Sequence, residues 1–523
     1  MNNNYCIDFF QKTMLKKALF EKYQNDLVDM NYENFQEIFQ EILTNLSSWT
    51  ESNVRERAKI FDEKGPGSIV DFKTVSNEHL LSFYQEAADL GFLGLSASKN
   101  YGGMNFPLLL SFMGFSLIAK ECLSSSAQIG FFLSMISMIE KFCDEKDKQE
   151  LIPLIIQGKI SGCMCLTESE AGSDLAAIQT KAVKNETGYI LNGSKIFITN
   201  GGGGFAFVLA KTTEGYDLKN LSLFLVKQGE ENNYKVMKNE DKMGLKGSFT
   251  CELLFQNTQA KLIGAEGEGF SMMLHLMNEA RLAVGLQALG GLQSVYEKSL
   301  KYATERKQFQ TPIKDFALVK NILDEMELLK NVLSSYILQT LLEYNLLEKG
   351  EVSLKYIVRK KTPLIKFFAT ETFTRLSQKA IQVFGGYGFM KDYEVERLHR
   401  DSFALLVYEG TSQIQSLMSL RDYLKRLKSL KDFCTIYHIK LKYLFQGNVS
   451  RSFFFQNINI HFKILWQCFF YPKKVEGKAE YIAESIVYLD IIEHLIATKH
   501  ADVKKFLQYG KERLSYLKVK ICS

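Results

Sequence analysis

Tyr189-Ile190-Leu191-Asn192-Gly193-Ser194-Lys195-Ile196-Phe197-Ile198 is the stretch that decides how this chain folds. Two short runs rich in β-branched and aromatic residues flank Asn192-Gly193. Asn-Gly supplies the two positive φ angles of a tight type I′ turn, so the stretch predicts a β-hairpin with its tip at those two residues. The texture changes near Ser161, and β-rich runs follow at residues 205–210, 221–226 and 251–255. Residues 161–264 therefore read as a β domain.

Helical periods lie on both sides of it. Upstream, residues 34–46 and 79–93 place apolar side chains three and four apart; Phe35, Ile38, Phe39, Ile42, Leu43 and Leu46 form one stripe. Lys64-Gly65-Pro66-Gly67 and Tyr101-Gly102-Gly103 punctuate this block as turns. Downstream, residues 271–306, 318–347 and 354–384 are long and amphipathic, with Pro363 either kinking the third or marking its start. Gly385-Gly386-Tyr387-Gly388 reads as a turn or a close-approach site, and residues 411–427 begin another helix. The order helical, β, helical gives a mainly helical α+β chain with a further helical extension over its last hundred residues.

Composition agrees with a globular protein. Of 523 residues, 46% are apolar and 24% charged, which excludes disorder, collagen and coiled coil as descriptions of the whole. The net charge of +5 is too small to indicate nucleic acid. Its distribution is uneven: residues 421–523 carry 19 Lys and Arg against 9 Asp and Glu, on a mildly acidic body. Nine cysteines, an odd number without a C-x-x-C pair, fit a reducing compartment with most thiols buried as small hydrophobes. The seven histidines show no zinc spacing. The start, MNNNYCIDFF, lacks a signal peptide's basic and apolar regions. The richest apolar stretch, residues 108–143, is broken by Lys120 and Glu121, so no transmembrane helix is expected.

Four stretches carry chemistry. Leu166-Thr167-Glu168-Ser169-Glu170-Ala171-Gly172-Ser173-Asp174 combines hydroxyls with a glycine, which suits a planar cofactor and a phosphate; alone it equally suits a capped turn. Phe197-Ile198-Thr199 sets an aromatic and a hydroxyl two apart on a strand, facing one side, where they could stack on and hydrogen-bond to a flavin; alone it is a strand end. Glu305-Arg306-Lys307-Gln308-Phe309, with Pro312-Ile313, puts an Arg at a helix end, able to pair with a pyrophosphate or to complement the helix C-terminus. The last comprises residues 382–389 and Tyr408-Glu409-Gly410-Thr411-Ser412-Gln413. Glu409 follows the apolar run 403–408, where poor solvation would raise its pKa and suit it to proton abstraction. Alone, it also reads as a solvated charge at a helix start.

Read jointly, in this order and spacing, these stretches resemble the acyl-CoA dehydrogenase family over about residues 75–425. Phe-Ala-Leu-Val-Lys at 316–320 and the C-terminal extension look most like the very-long-chain branch. The resemblance implies an N-terminal helical domain (1–160), a middle β domain (161–264), a C-terminal helical bundle (265–425) and a basic helical extension (426–523). It implies FAD between the β domain and the C-terminal helices. Met164, Leu166, Thr167, Gly172 and Ser173 would line the flavin and its phosphates. Phe197 stands where many members place Trp, and Thr199 would hydrogen-bond near flavin N5. Arg306, Gln308 and Phe309 match a segment reaching the FAD of a neighbouring subunit; Gln382 and Gly386 match residues at its adenosine end. Thr411 and Gln413 match a further cofactor-contacting pair. A shared site makes a homodimer the minimum, with a tetramer as the other option.

Glu409 matches the family's catalytic base. The implied reaction is α,β-dehydrogenation of a medium- to long-chain fatty acyl-CoA to the trans-2-enoyl-CoA in β-oxidation. Glu409 would take the pro-R α-proton while the β-hydride passes to flavin N5. Its backbone N–H and a ribityl hydroxyl would hold the thioester oxygen. Arg281 matches an Arg beside the base, and Ser173, Asn278 and Gly410 would lie along the acyl-CoA. Some branches carry the base where this chain has Ala280, so that alternative is absent. Several positions depart from the pattern. Ser169-Glu170 replace Pro-Gly, Ala317 replaces a common Gln, and Phe249 replaces a polar residue. Gln310 replaces a Gly, so the loop toward the neighbouring FAD is expected to sit differently.

Electrons would pass to electron-transfer flavoprotein. Two alternatives keep the fold: a flavin oxidase using O2, and a respiratory-complex assembly or scaffold protein. No motif supports nucleic-acid binding. In the extension, the aromatic, basic stretch 451–471 suits either a helix packed on the body or peripheral contact with a membrane surface, whereas residues 499–520 read as a core-packing helix. The expected location is the bacterial cytoplasm, with the mitochondrial matrix as the alternative.

Overall fold

A computed structural model describes residues 4–28, 30–186, 188–229, 234–427 and 475–522. The N-terminal block holds helices α1 (Tyr5–Lys12), α2 (Lys16–Tyr23), α3 (Tyr32–Trp49), α4 (Arg55–Lys64), α5 (Glu78–Asp89), α6 (Leu108–Glu121), α7 (Leu123–Phe142) and α8 (Glu145–Ile156). Asn31 and Asn77 cap α3 and α5, each accepting a backbone N–H three residues on. In α3, Phe35, Phe39, Leu43 and Leu46 are buried, as their spacing predicts. α6 and α7 are buried on nearly all sides, which explains an apolar run without an amphipathic stripe. No described helix is long and apolar enough to cross a membrane. This block also holds a hairpin absent from the sequence reading, β1 (Gly67–Val70) paired with β2 (Lys73–Ser76). Its tip, Asp71-Phe72, adopts positive φ at both residues without glycine to announce it.

The middle block is a seven-stranded sheet: β3 (Ser161–Cys165), β4 (Lys181–Asn185), β5 (Gly188–Thr199), β6 (Gly204–Lys211), β7 (Leu221–Lys227), β8 (Lys235–Asn239) and β9 (Thr250–Ile263). β3 and β4 share one edge of β6 and β7 takes the other; β5 and β9 complete a closed ring, with β8 outside on β9.

The expected hairpin at Asn192-Gly193 is not formed. β5 runs straight through both residues, paired with β9 from Tyr189↔Ala260 to Thr199↔Thr250. The chain reverses one step earlier, between β4 and β5, where Asn185 pairs with Gly188. Asn192-Gly193 instead makes a register shift, and Asn192 Oδ1 accepts the Asn257 N–H across it at 2.9 Å. A Cβ at Gly193 would lie 2.4 Å from Thr180 Oγ1, so glycine there answers close approach and a φ of 151° rather than a turn.

The C-terminal bundle is built from α9 (Gly269–Glu305), α10 (Ala317–Glu348), α11 (Lys355–Phe384), α12 (Val395–Val407) and α13 (Ser412–Leu427). Pro363 lies inside α11 and does not mark its start. A two-residue ladder, β10 (Lys307–Gln308) with β11 (Thr311–Pro312), joins α9 to α10. The extension adds α14 (Ala479–Ala497) and α15 (Val503–Cys522), packed on α10, α11 and α13. Asp490 meets Lys360 at 2.5 Å and Tyr336, and His494 meets Ser335 at 2.8 Å. Phe506, Leu514, Leu517 and Ile521 are buried, so the last helix packs as expected. The aromatic stretch 451–471 lies outside the described residues.

Candidate active site

Glu409 sits where α12 gives way to α13. After α12 ends, Glu409 (φ 55°) and Gly410 (φ 92°) both turn left-handed before α13 starts at Ser412. For Glu that conformation costs roughly 1–2 kcal/mol, the kind of local strain found where a side chain is held for use. Side chains of α11 and α13 hold the turn. Gln415 Nε2 donates to Glu409 O at 2.9 Å, Ser412 Oγ to Glu371 Oε1 at 2.6 Å, and the Ile414 N–H to Thr411 Oγ1 at 3.4 Å.

The Glu409 carboxylate accepts no hydrogen bond among the described residues. Burial pushes its pKa upward, while the Arg281 and Lys366 charges pull against that without cancelling it. Arg281, from α9, is buried; its Nη1 donates to Asn278 Oδ1 at 2.8 Å, and its Nε has no partner among the described residues. The structure thus brings two pairs of residues far apart in sequence, Asn278 with Arg281 and Glu409 with Gly410, to one place around the Glu409 carboxylate.

A second group lies on the middle domain. Between Lys195↔Leu253 and Ile198↔Cys251 the ladder slips again, and Phe197 takes φ 58°. This bulge, rather than simple alternation, turns Phe197 outward, where it is 60% exposed. Behind it, Lys195 is wholly buried and donates to Leu166 O at 2.9 Å and Glu168 Oε1 at 2.8 Å. Glu168 also accepts the N–H groups of Gln179 and Thr180 and the Thr180 hydroxyl. The Lys195 charge, together with those donors, holds Glu168 below the usual carboxylate range, while burial lowers Lys195. The pair, overlooked in the sequence although both residues lie in quoted stretches, fastens the Leu166–Asp174 loop to β5. The Ile196 N–H adds a bond to Thr167 O at 2.9 Å. Leu166 is buried, Met164 and Thr199 are half-buried, and Gly172 and Ser173 are exposed in the loop.

Two glutamines missed by the sequence reading tie the groups to the first turns of α7. Gln287 accepts the Tyr408 hydroxyl and donates to Ser126 Oγ at 2.9 Å. Gln128 bonds Asn200, which follows Thr199, and accepts the N–H of the buried Phe249 at 3.0 Å. A buried Gln with both amide groups engaged carries no spacing signal, so neither was legible.

A third group forms a groove of about 640 Å³ that includes Arg306, Gln308, Phe309, Gln382, Gly386 and Tyr387 in its lining. Arg306 lies over the Tyr387 ring at 5.7 Å. Phe309 is 91% exposed at its rim. Phe309 (φ 49°) and Gln310 (φ 62°) form the two-residue turn of β10–β11, and Gln310 takes a left-handed angle itself. None of the middle-domain residues lines this groove. Gln413 joins neither group through its amide nitrogen, which donates to Glu480 Oε1 of α14 at 2.7 Å.

Three family models cover most of the chain: acyl-CoA dehydrogenase N-terminal domain over residues 40–159, middle domain over 163–258 and C-terminal domain over 267–424. The acryloyl-CoA reductase (NADH) of Anaerotignum propionicum is 31% identical over 67% of this chain and 89% of its own. An acyl-CoA dehydrogenase of Bacillus subtilis is 31% identical over 70% and 95%. The caffeyl-CoA reductase-Etf complex subunit CarC of Acetobacterium woodii is 32% identical over 70% and 96%. Among solved structures, an acyl-CoA dehydrogenase complexed with FAD from Bacillus anthracis shares the fold with a TM-score of 0.78, 22% identity, and 94% of this chain and 89% of that one covered. The fold and site define a flavin-dependent oxidoreductase. The chain belongs to the acyl-CoA dehydrogenase family, whose cofactor is FAD.

The residues present fit that cofactor. Cβ atoms at Gly385 and Gly386 would meet nothing within 4 Å, so the backbone beside Gln382 is open to a ligand at contact distance. Arg306 at the same groove offers guanidinium donors suited to a pyrophosphate. The outward Phe197 and the hydroxyl of Thr199 offer a stacking face and a polar contact on the other group.

Proposed function

We propose that this chain dehydrogenates medium- to long-chain fatty acyl-CoA to the trans-2-enoyl-CoA, with Glu409 as the base. One observation carries the reading: a carboxylate without hydrogen-bond partners among the described residues, held by a strained turn between two buried cations. Such a group is poised to accept a proton from carbon, since no competing bond must break first. The Arg281 and Lys366 charges favour its ionised form against burial, and Asn278 orients Arg281. The backbone N–H of Glu409 would take the thioester oxygen, acidifying the α-carbon. Bound FAD supplies the hydride acceptor. Met164, Leu166, Thr167, Gly172, Ser173, Phe197 and Thr199 would hold its flavin half. Arg306, Gln308, Phe309, Gln382 and Gly386 would serve the adenosine half of a second subunit's cofactor. Their separation into a group remote from the middle domain supports a shared site and at least a homodimer.

The acyl range proposed, medium to long, rests on the likeness of residues 316–320 and of the C-terminal extension to the very-long-chain branch. Electron-transfer flavoprotein as acceptor is supported by the Etf-complex relative. The two reductase relatives favour a second reading, in which the same residues run the reaction toward enoyl reduction when the electron partner drives it. The bacterial relatives support a cytoplasmic setting. Anaerobic visible spectra test the main reading. Palmitoyl-CoA should bleach the bound flavin of the wild type and leave Glu409→Gln oxidised. A flavin that resists acyl-CoAs of several lengths would contradict it.

A further inference from the structure

Lys366 is wholly buried in α11, and its ammonium reaches two backbone carbonyls, Leu406 O at 3.1 Å and Gly410 O at 2.7 Å. Leu406 lies in the last turn of α12, where carbonyls lack intrahelical partners. Gly410 lies four residues on, and Glu409 between them. One side chain therefore ties both ends of the segment that presents Glu409. An ammonium has three N–H groups, and these carbonyls use two. Its charge is the second of the two cations acting on Glu409, the other being Arg281 from α9.

Resting on the assignment of Glu409 as base, we propose that Lys366 is a positioning residue for the reaction, fixing the Leu406–Gly410 turn and setting a positive charge against the Glu409 carboxylate. The charged groups acting on this ammonium are Glu409, Glu371 of α11 and Arg281 of α9. Burial lowers Lys366 to about 8, the two carboxylates oppose that, and Arg281 reinforces it. An ammonium lowered to about 8 is mostly charged at neutral pH and half deprotonated near pH 8. A residue that only filled space would be replaced by Met of similar volume at little cost to the pH profile.

The test uses FAD-loaded Lys366→Met, Lys366→Gln and Lys366→Arg, with Glu409→Gln as reference. FAD affinity is measured first, then the anaerobic rate of flavin bleaching by palmitoyl-CoA from about pH 5.5 to 9. Lys366→Met is expected to bind FAD as the wild type does. Its acid limb should move to higher pH by about 1, with a rate near neutrality lower by about tenfold. Lys366→Arg should restore the limb. Lys366→Gln keeps a donor for Gly410 without the charge, so its limb should stay displaced; it decides the matter should Met not fold. An acid limb unchanged in the Met or Gln variant overturns the proposal. A wild-type rate in Glu409→Gln would instead overturn the base assignment beneath it.

Discussion

Five residues outside glycine adopt left-handed backbone angles at the candidate site: Phe197, Asn200, Phe309, Gln310 and Glu409. Their strain is unequal in purpose. Phe197 and Glu409 are turned so that a side chain projects toward the proposed cofactor and substrate, but Gln310 forms no bond that rewards its angle among the described contacts. Gln310→Gly should therefore raise stability by up to about 1 kcal/mol in urea denaturation, with FAD affinity unchanged. Lys195 behaves in the opposite way. Lys195→Met leaves the Glu168 carboxylate buried without its cation and should cost about 3–5 kcal/mol. Adding Glu168→Gln should recover most of that loss, which a double-mutant cycle in urea would measure.

The helices add a pH dependence of their own. Glu279 of α9 is buried against Ser137 of α7 and Tyr344 of α10, and burial raises it to about 7. Because the folded state favours its neutral form, stability is greatest below the unfolded value and declines as pH rises toward 7. The full loss is about 3 kcal/mol. Glu279→Gln should flatten the fall in Tm between about pH 4.5 and 7.5; an unchanged slope would remove Glu279 as its source. Elements of this size were legible where periodicity was strong, as in α3 and α9–α11. They were misread where one dipeptide serves two geometries: Asn192-Gly193 meets the requirements of a tight turn and equally those of a bulge packed on Thr180. Only the pairing of β5 with β9, more than fifty residues away in sequence, selects the bulge. The Asp71-Phe72 hairpin was hidden for the converse reason, since neither residue signals a positive φ. Of the proposed site, Glu409, Arg281, Asn278, Arg306 and Phe309 stand in motifs that mark them in the sequence. Lys195, Lys366, Gln128 and Gln287 could not be picked out, because a buried polar residue acquires its meaning from partners that only the fold supplies.

At the scale of the whole molecule, the residues proposed to hold the cofactor fall into two groups that one chain does not bring to a single groove. If each site is completed by a second copy, a subunit carrying Arg306→Ala retains a good base and lacks only what it lends its neighbour. A Glu409→Gln subunit has the reverse defect. Mixed and reassembled, the two inactive proteins should regain activity, since half the sites of each mixed dimer combine an intact Glu409 with an intact Arg306. No recovery on mixing would argue that each chain completes its own site. The extension belongs to this scale as well, since Glu480 of α14 holds Gln413 at the start of α13. Glu480→Ala should weaken FAD binding severalfold, read by flavin fluorescence, if Gln413 serves the cofactor through that orientation.

The most direct test of Glu409 as the base separates proton abstraction from electron transfer. Anaerobic enzyme is mixed in D2O with an acyl-CoA analogue bearing sulfur in place of its β-carbon, which can lose an α-proton but no β-hydride. Deuterium entering the α-carbon is followed by mass spectrometry. The wild type should exchange, and Glu409→Gln should be slower by about 10²–10⁴-fold with FAD still bound. Exchange in Glu409→Gln at the wild-type rate would contradict the account, because another group would then be removing the proton.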